Sequence, residues 1–369
     1  MRSFSPSQEN FIADEGEEKP PNKVLLIMLF MDSFGRLLQR YYENNPRVLP
    51  WRVDPTPYHV WISEIMLQQT RVETVKGYYL RFMDALPSVF DLANASEEVL
   101  LKLWEGLGYY SRARNILKAA RIIVERYGGE LPSSREKLAE LPGIGPYVSA
   151  AIASIAFHQK EVALDGNLVR IYARLYAEDV DIKTASLRKK MEDVYRSLMD
   201  IDPSIFNQGL MDIGQTICLP NGTPLCSECP FKGLCKAHLL GRENDFPSPR
   251  KPTPKKREER TIVLLYSGDR LFLQKRPSHG LLASLYEPIN LSGHLSEEEV
   301  REFLMNSGYV LASFEEIGHA EHVFSHKIWD MVGYRAILKG QTDNSSFISM
   351  EDRKQRISIP SAFSYFLGE

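Results

Sequence analysis

The sequence predicts a multi-domain protein: an all-α core of many short helices carrying a cysteine-rich loop, followed by a smaller α+β domain. Three observations carry this. From about Met31 to Ala237, apolar residues recur at spacings of three and four, the period of helices that bury one stripe. Residues 241–260 then interleave Pro247, Pro249, Pro252 and Pro254 with Lys and Arg, the composition of an extended, solvated connection. Beyond residue 261 the apolar period becomes that of strands. At 369 residues the chain can hold two or three separate cores.

Taken in order, residues 1–22 are expected to be a disordered extension. Residues 24–31 are apolar, but Asp14, Glu15, Glu17 and Glu18 precede them, which is wrong for a secretory signal, so this run should begin the first helix. Helical periodicity follows at residues 34–42, 60–69, 72–86, 99–104, 116–127, 148–157, 168–176, 187–199 and 206–217, with Pro and Gly between the runs. The core is therefore assigned to residues 23–240, the linker to 241–260 and the last domain to 261–369. In that domain, runs at 261–266 and 271–274 flank the turn Ser267-Gly268-Asp269. Ser296 should cap a helix whose first turn holds Glu297, Glu298 and Glu299. Two strands at 314–324 and 327–338 should join near Ser325.

Hydrophobic content of 43% and charged content of 25% are those of an ordinary soluble protein, and no apolar run approaches a membrane span. The net charge of −3 excludes a uniformly basic nucleic-acid binder. Basic residues cluster locally at 102–126 and 250–260, which most simply read as a solvated helix face and a solvated linker.

The four cysteines, Cys218, Cys226, Cys229 and Cys235, have the spacing C-x7-C-x2-C-x5-C. Thiols gathered in one segment read as a metal or cluster site, not as a disulfide framework. Such a cage can hold a [4Fe–4S] cluster or a zinc ion; the single C-x2-C knuckle, where zinc ribbons pair two, favours the cluster. Residues 141–147, LPGIGPY, form a Gly/Pro turn opening into an Ala-rich helix. Gly143 and Gly145 permit positive φ there, and the helix start offers N–H groups to an anion such as a DNA phosphate. The ordinary alternative is a plain link between packed helices. Asp165-Gly166-Asn167 opens another helix, with Asp165 or Asn167 as its cap. Glu64 is a lone carboxylate near the start of an apolar helix, among Trp61, Ile65 and Leu67. If buried, its pKa rises and it suits a general acid; if exposed, it is an ordinary surface glutamate.

At this point the residues carry a resemblance. Glu64 in SEIMLQQT, GLGYYSRARN at 106–115, LPGIGPY, ALDGN and the clustered cysteines occur in the order found in the MutY family. These are adenine DNA glycosylases of the helix–hairpin–helix superfamily, to which endonuclease III also belongs. The resemblance covers about residues 34–235, and continues through KRPSHGLLASLYEP at 275–288 and the turn Phe324-Ser325-His326.

The resemblance implies a helix–hairpin–helix core with a [4Fe–4S] loop and a Nudix (MutT)-like last domain. It implies hydrolytic removal of adenine opposite 8-oxoguanine or guanine, with Glu64 as general acid. Asp165 would stabilise the oxocarbenium-like sugar, aided by Tyr147 and Asn167. Gly143 and Gly145 would grip DNA, Gln69 and Tyr109 would wedge into the base stack, and Trp51 and Arg52 would lie near the adenine pocket. Gln69 as a helix cap and Tyr109 as core packing are the plain alternatives. Phe324, Ser325 and His326 would read the opposing lesion. Endonuclease III carries a Schiff-base lysine where Tyr147 stands, so a monofunctional enzyme is expected, not a lyase. A non-catalytic damage binder would need neither Glu64 nor Asp165.

Two departures from family patterns matter. Met305 and Asn306 occupy the glutamate pair of the Nudix box, so nucleotide hydrolysis is not expected. The first cysteine spacing is one residue longer than usual, which Gly222 should absorb. The expected partner is double-stranded DNA, and the expected state a monomer, cytoplasmic with the chromosomal DNA of a bacterial-type cell.

Overall fold

The computed structural model describes residues 23–179, 184–248 and 254–368, with side chains from Phe34 onward; the expected N-terminal extension and part of the linker lie outside them. The helical unit runs α1 Lys23–Asn44, α2 Pro50–Val53, α3 Pro57–Leu67, α4 Val72–Ala85, α5 Val89–Asn94, α6 Glu97–Leu103, α7 Ser111–Tyr127 and α8 Arg135–Ala139. It continues through α9 Pro146–Ile155, α10 Gly166–Tyr176, α11 Ala185–Leu198, α12 Pro203–Thr216 and the short α13 Lys236–Leu239. The starts are chemically marked. Proline occupies the first turn of α2, α3, α9 and α12, where its missing N–H has no helical partner to lose. Thr56, Ser88, Ser96, Ser134, Asp165 and Asp202 cap α3, α5, α6, α8, α10 and α12 through their side-chain oxygens.

Helices α3 and α9 are buried almost all round, as their nearly uniform apolarity demands. They pack on each other, and α9 also packs on α12, which in turn meets α10. This places α3, the α8–α9 turn and the start of α10 around one point. The short α2, α5 and α8 have too few residues to show a period, and the sequence pattern missed them.

The second unit runs β1 Lys256–Ser267, β2 Arg270–Phe272, β3 Gln274–Lys275, β4 Tyr286–Glu287, β5 Ile289–Ser292, α14 Glu297–Asn306, β6 Leu311–Val323, β7 Lys327–Leu338, β8 Phe347–Ile348, α15 Met350–Arg356 and α16 Ser364–Leu367. Its main sheet has the order β6-β7-β1-β2-β8, with β5 also paired to β1; β1 and β7 are parallel. Alternation along β1 sends Ile262 and Leu264 into one core with Phe363 and Phe366, and Val263 and Leu265 into another with Val300 and Leu304 of α14. Ser296 and Glu299 close a capping box on α14. Strand β1 starts at Lys256, inside the stretch expected to be linker. Its charged first residues are held by pairing with β7 from Lys327, so ladder hydrogen bonds override a solvated composition there. Among the described residues no helix is long and apolar enough to cross a membrane.

Candidate active site

Six of the residues singled out in the sequence line one cavity of about 390 Å³: Trp51, Arg52, Glu64, Tyr147, Asp165 and Asn167. Glu64 lies in the last turn of α3, not near its start, because the helix begins at Pro57. It is only 6% exposed. Tyr147, in the first turn of α9, donates its O–H to Glu64 Oε2 at 2.5 Å. Burial pushes the Glu64 carboxyl up to about 7; the tyrosine hydrogen bond and Arg52 oppose this, and the charge of Asp165 adds to it. Burial, with Glu64 and Asp165 beside it, also raises the Tyr147 phenol, which stays a neutral donor.

Asp165 is the N-cap of α10; Asn167 lies inside the helix and is not the cap. One Asp165 oxygen accepts from Leu168 N–H at 2.8 Å, the other from Asn167 Nδ2 at 2.7 Å. Burial raises the Asp165 carboxyl, and these donors pull it back toward ionisation. Two carboxyls thus share a cavity, Glu64 with the Tyr147 hydroxyl as its donor and Asp165 with a backbone N–H and an amide.

Several supporting residues carried no sequence signal. Asp212, 1% exposed, receives Arg52 at 2.7 and 2.9 Å and Arg47 at 2.7 Å, which holds Arg52 against the cavity wall. Arg170 bonds Asn167 Oδ1, Gly214 O and Cys218 O, tying the cavity to the cysteine loop. Gly214 of α12 passes so close to Asn167 that an added Cβ would lie 2.5 Å from its Cβ. We predict that Gly214→Ala costs about 1–3 kcal/mol of stability, the range for overpacking. A thermal melt indistinguishable from that of the parent protein would contradict this close approach.

Gln69, Tyr109 and Gly143 meet at a second groove, with Arg112 and Asn115 beside them. Gln69 has φ +56 and Tyr109 φ +47, a region costly for residues with a side chain and concentrated at functional sites. Tyr109 is 44% exposed, so it is not core packing; the C-cap of α3 is Gln68, and Gln69 is the left-handed residue that follows it. Arg112 holds both loops. It donates to Ile65 O, Met66 O and Gln68 O on one side and to Leu107 O and Gly108 O on the other, with its guanidinium 5.6 Å from the Tyr109 ring. In the hairpin, Gly143 has φ +80 as expected. Gly145 does not: at φ −87 it is the extended N-cap of α9.

A third cavity, about 520 Å³, lies between the two units. Tyr109 lines it from one side and Phe324, Ser325 and His326 from the other. Phe324 is anchored edge-on against Trp329, while Ser325 and His326 are exposed.

The four cysteines are partly buried and lie near one another. Burial pushes Cys226 up to about 11 and Cys229 up to about 12, so as free thiols they hold their protons; a metal would have to displace them. Arg174 donates to Cys218 Sγ at 3.1 Å. Gly222 in this loop has φ +76, a conformation open to glycine. Among the described residues the compact group of metal-binding atoms, all within 4.8 Å, is Cys226, His238 and Glu243, not the four sulfurs.

The model of the HhH-GPD superfamily of base excision DNA repair proteins matches residues 62–197, and a NUDIX domain model matches residues 260–368. The solved structure of a thermostable thymine-DNA glycosylase superposes with a TM-score of 0.54 at 27% identity, covering 58% of this chain and 99% of that one. The class is therefore a helix–hairpin–helix base excision repair protein with an appended Nudix-like domain. Adenine DNA glycosylase of Rattus norvegicus is 35% identical, over 85% of this chain and 72% of its own length. Adenine DNA glycosylase of Buchnera aphidicola subsp. Baizongia pistaciae is 32% identical, over 79% and 82%. The chain belongs to the adenine DNA glycosylase family, the MutY-like branch of that class.

Proposed function

We propose that this protein is a monofunctional adenine DNA glycosylase, hydrolysing the N-glycosidic bond of adenine mispaired with 8-oxoguanine or guanine in duplex DNA. The observation that carries this is Glu64, a carboxyl raised to about 7 at the wall of a cavity of about 390 Å³, room enough for a purine base. The mispaired adenosine leaves the stack, which costs least for a base that is poorly paired. Glu64 gives its proton to the adenine ring, the bond from C1′ to the base breaks, and the electron pair leaves with the base. Asp165 faces the positive charge that develops on the sugar. Water then attacks C1′, and Glu64, now ionised, accepts its proton. Tyr147 orients Glu64 through their hydrogen bond, and Asn167 orients Asp165. Tyr147 has no amine for a Schiff base, which supports hydrolysis without strand cleavage.

Gly143 and Gly145 present the hairpin backbone to a phosphate, and Gln69 and Tyr109 enter the base stack beside the adenine. Phe324, Ser325 and His326 face the opposing base. Cys218, Cys226, Cys229 and Cys235 would hold a [4Fe–4S] cluster. It would pin the loop whose Cys218 carbonyl accepts from Arg170. The protein acts as a monomer on duplex DNA.

The test uses duplexes with A opposite 8-oxoguanine or guanine, treated with or without hot alkali after incubation. Breaks after alkali alone are expected. Breaks without alkali would indicate a lyase, and none in either case a binder. Ser325→Ala should lower the preference for 8-oxoguanine over guanine by roughly 2- to 10-fold, the loss of one hydrogen bond of about 0.5–1.5 kcal/mol. An unchanged ratio would remove Ser325 from lesion recognition.

A further inference from the structure

The loop that carries Tyr109 is held by both units. From the helical side, Tyr78 donates its O–H to Glu105 O at 2.7 Å, Gly106 N–H donates to Tyr110 Oη at 3.2 Å, and Arg112 takes the carbonyls of Leu107 and Gly108. The second unit holds it at the side chain of Glu105. Ile359 N–H donates to Glu105 Oε1 at 2.9 Å. Lys102 pairs with Glu105 Oε2 at 2.6 Å and donates to Arg353 O at 3.2 Å and Ile357 O at 3.1 Å. Lys102 thereby reaches two carbonyls where α15 ends and the chain turns away. The next residues, Pro360 to Ala362, line the same cavity as Gly106, Gly108, Tyr109 and the Phe324–His326 turn.

We propose that Lys102 and Glu105 are positioning residues that make the C-terminal unit part of the scaffold of the Tyr109 loop. The loop makes three demands on its backbone within four residues: Gly106 at φ +88, Gly108 at φ +74 and Tyr109 at φ +47. A left-handed tyrosine persists only where its surroundings over-determine it. Here one of the surroundings is a different unit of the chain. Docking of that unit therefore sets the conformation of the wedge, and the face that meets the opposing base is mechanically joined to the residue that enters the stack. Other contacts between the units, such as Arg114 to Ala283 O at 2.7 Å, Lys275 to Glu98 at 3.4 Å and the buried Leu285 in the helical core, do not touch Glu105. Docking and loop setting can thus be separated by substitution. The wedge role of Tyr109 rests on the function proposed above; the loop's dependence on the clamp does not.

The experiment is amide hydrogen exchange on the full chain without DNA, comparing the parent protein with Lys102→Met, Glu105→Ala and Glu105→Gln. Lys102→Met and Glu105→Ala should speed exchange at residues 106–111 by roughly tenfold or more, as expected from losing hydrogen bonds to charged groups. Residues 148–155 of α9 should be unchanged. Glu105→Gln keeps an acceptor for Ile359 N–H and should stay closer to the parent, so it preserves the test if the alanine variant folds poorly. Unchanged exchange at residues 106–111 in Lys102→Met would overturn the proposal, as would an equal rise throughout the chain. A second arm places 2-aminopurine beside the mispaired adenine. The same variants should show less of the fluorescence rise that accompanies unstacking, and a full rise would overturn the link to the wedge. Failure of the parent protein to excise adenine would count against the proposed function and leave the exchange result standing.

Discussion

Glu64→Gln is expected to keep duplex binding and to lower base excision by roughly 10²-fold or more, the usual contribution of a positioned general acid. The amide preserves the shape of the side chain and can still accept from Tyr147, but it has no proton to give at neutral pH. Single-turnover excision near the parent rate would remove Glu64 from the chemistry. The pH dependence follows from burial. With its carboxyl raised from 4.5 to about 7, Glu64 is protonated in the folded protein below pH 7 and loses its proton above it. The excision rate should therefore fall with rising pH through about 7. Stability runs in the same direction: because the folded state holds this proton more tightly than the unfolded chain, the associated stability is complete below about 4.5 and is lost as pH rises through about 7. Glu64→Gln removes that loss, so at pH 8 the inactive variant should melt at or above the parent temperature. A variant both inactive and markedly less stable at pH 8 would point to a structural role.

Asp165→Asn is expected to lower excision by roughly 10²-fold or more, the effect of losing a preorganised group that faces developing charge. The substitution is diagnostic because Asn caps helices about as well as Asp. It can still accept from Leu168 N–H, so α10 should start where it does now. What is lost is the negative charge, and with it the bond from Asn167 Nδ2, which an amide nitrogen cannot accept. Far-ultraviolet dichroism and duplex affinity close to the parent, with single-turnover excision strongly reduced, is the expected pattern. If excision stays within a few-fold, Asp165 serves only as the cap.

Glu64 and Asp165 illustrate how far local reading reaches. A carboxylate in an otherwise apolar helix, and an Asp-Gly-Asn ahead of an apolar stripe, are visible as anomalies because secondary structure and capping depend on near neighbours in the chain. The same holds for the cysteine loop, the Gly143 turn, the Ser296 capping box and the change of apolar period that separates the two units. Each is set by spacing, propensity or backbone sterics over a few residues, and each could be read before any fold was known. The distinction between Asp165 and Asn167 as cap, or between positive φ at Gly143 and not at Gly145, needed the backbone itself, since several local conformations suit the same residues.

What only the tertiary structure decided is who meets whom. Glu64 and Tyr147 are 83 residues apart, and Asp212 lies 160 residues from the Arg52 it holds. The pKa of Glu64 is a property of that assembly, because desolvation and neighbouring charge depend on packing, not on sequence distance. Arg112, Gly214 and the Lys102–Glu105 clamp look like ordinary surface or core residues in the sequence. Their importance comes from carbonyls and Cβ positions supplied by distant segments, which no local pattern encodes. Strand β1 makes the same point in the opposite direction: residues 256–260 have the composition of solvated linker, and the parallel edge of β7 makes them strand.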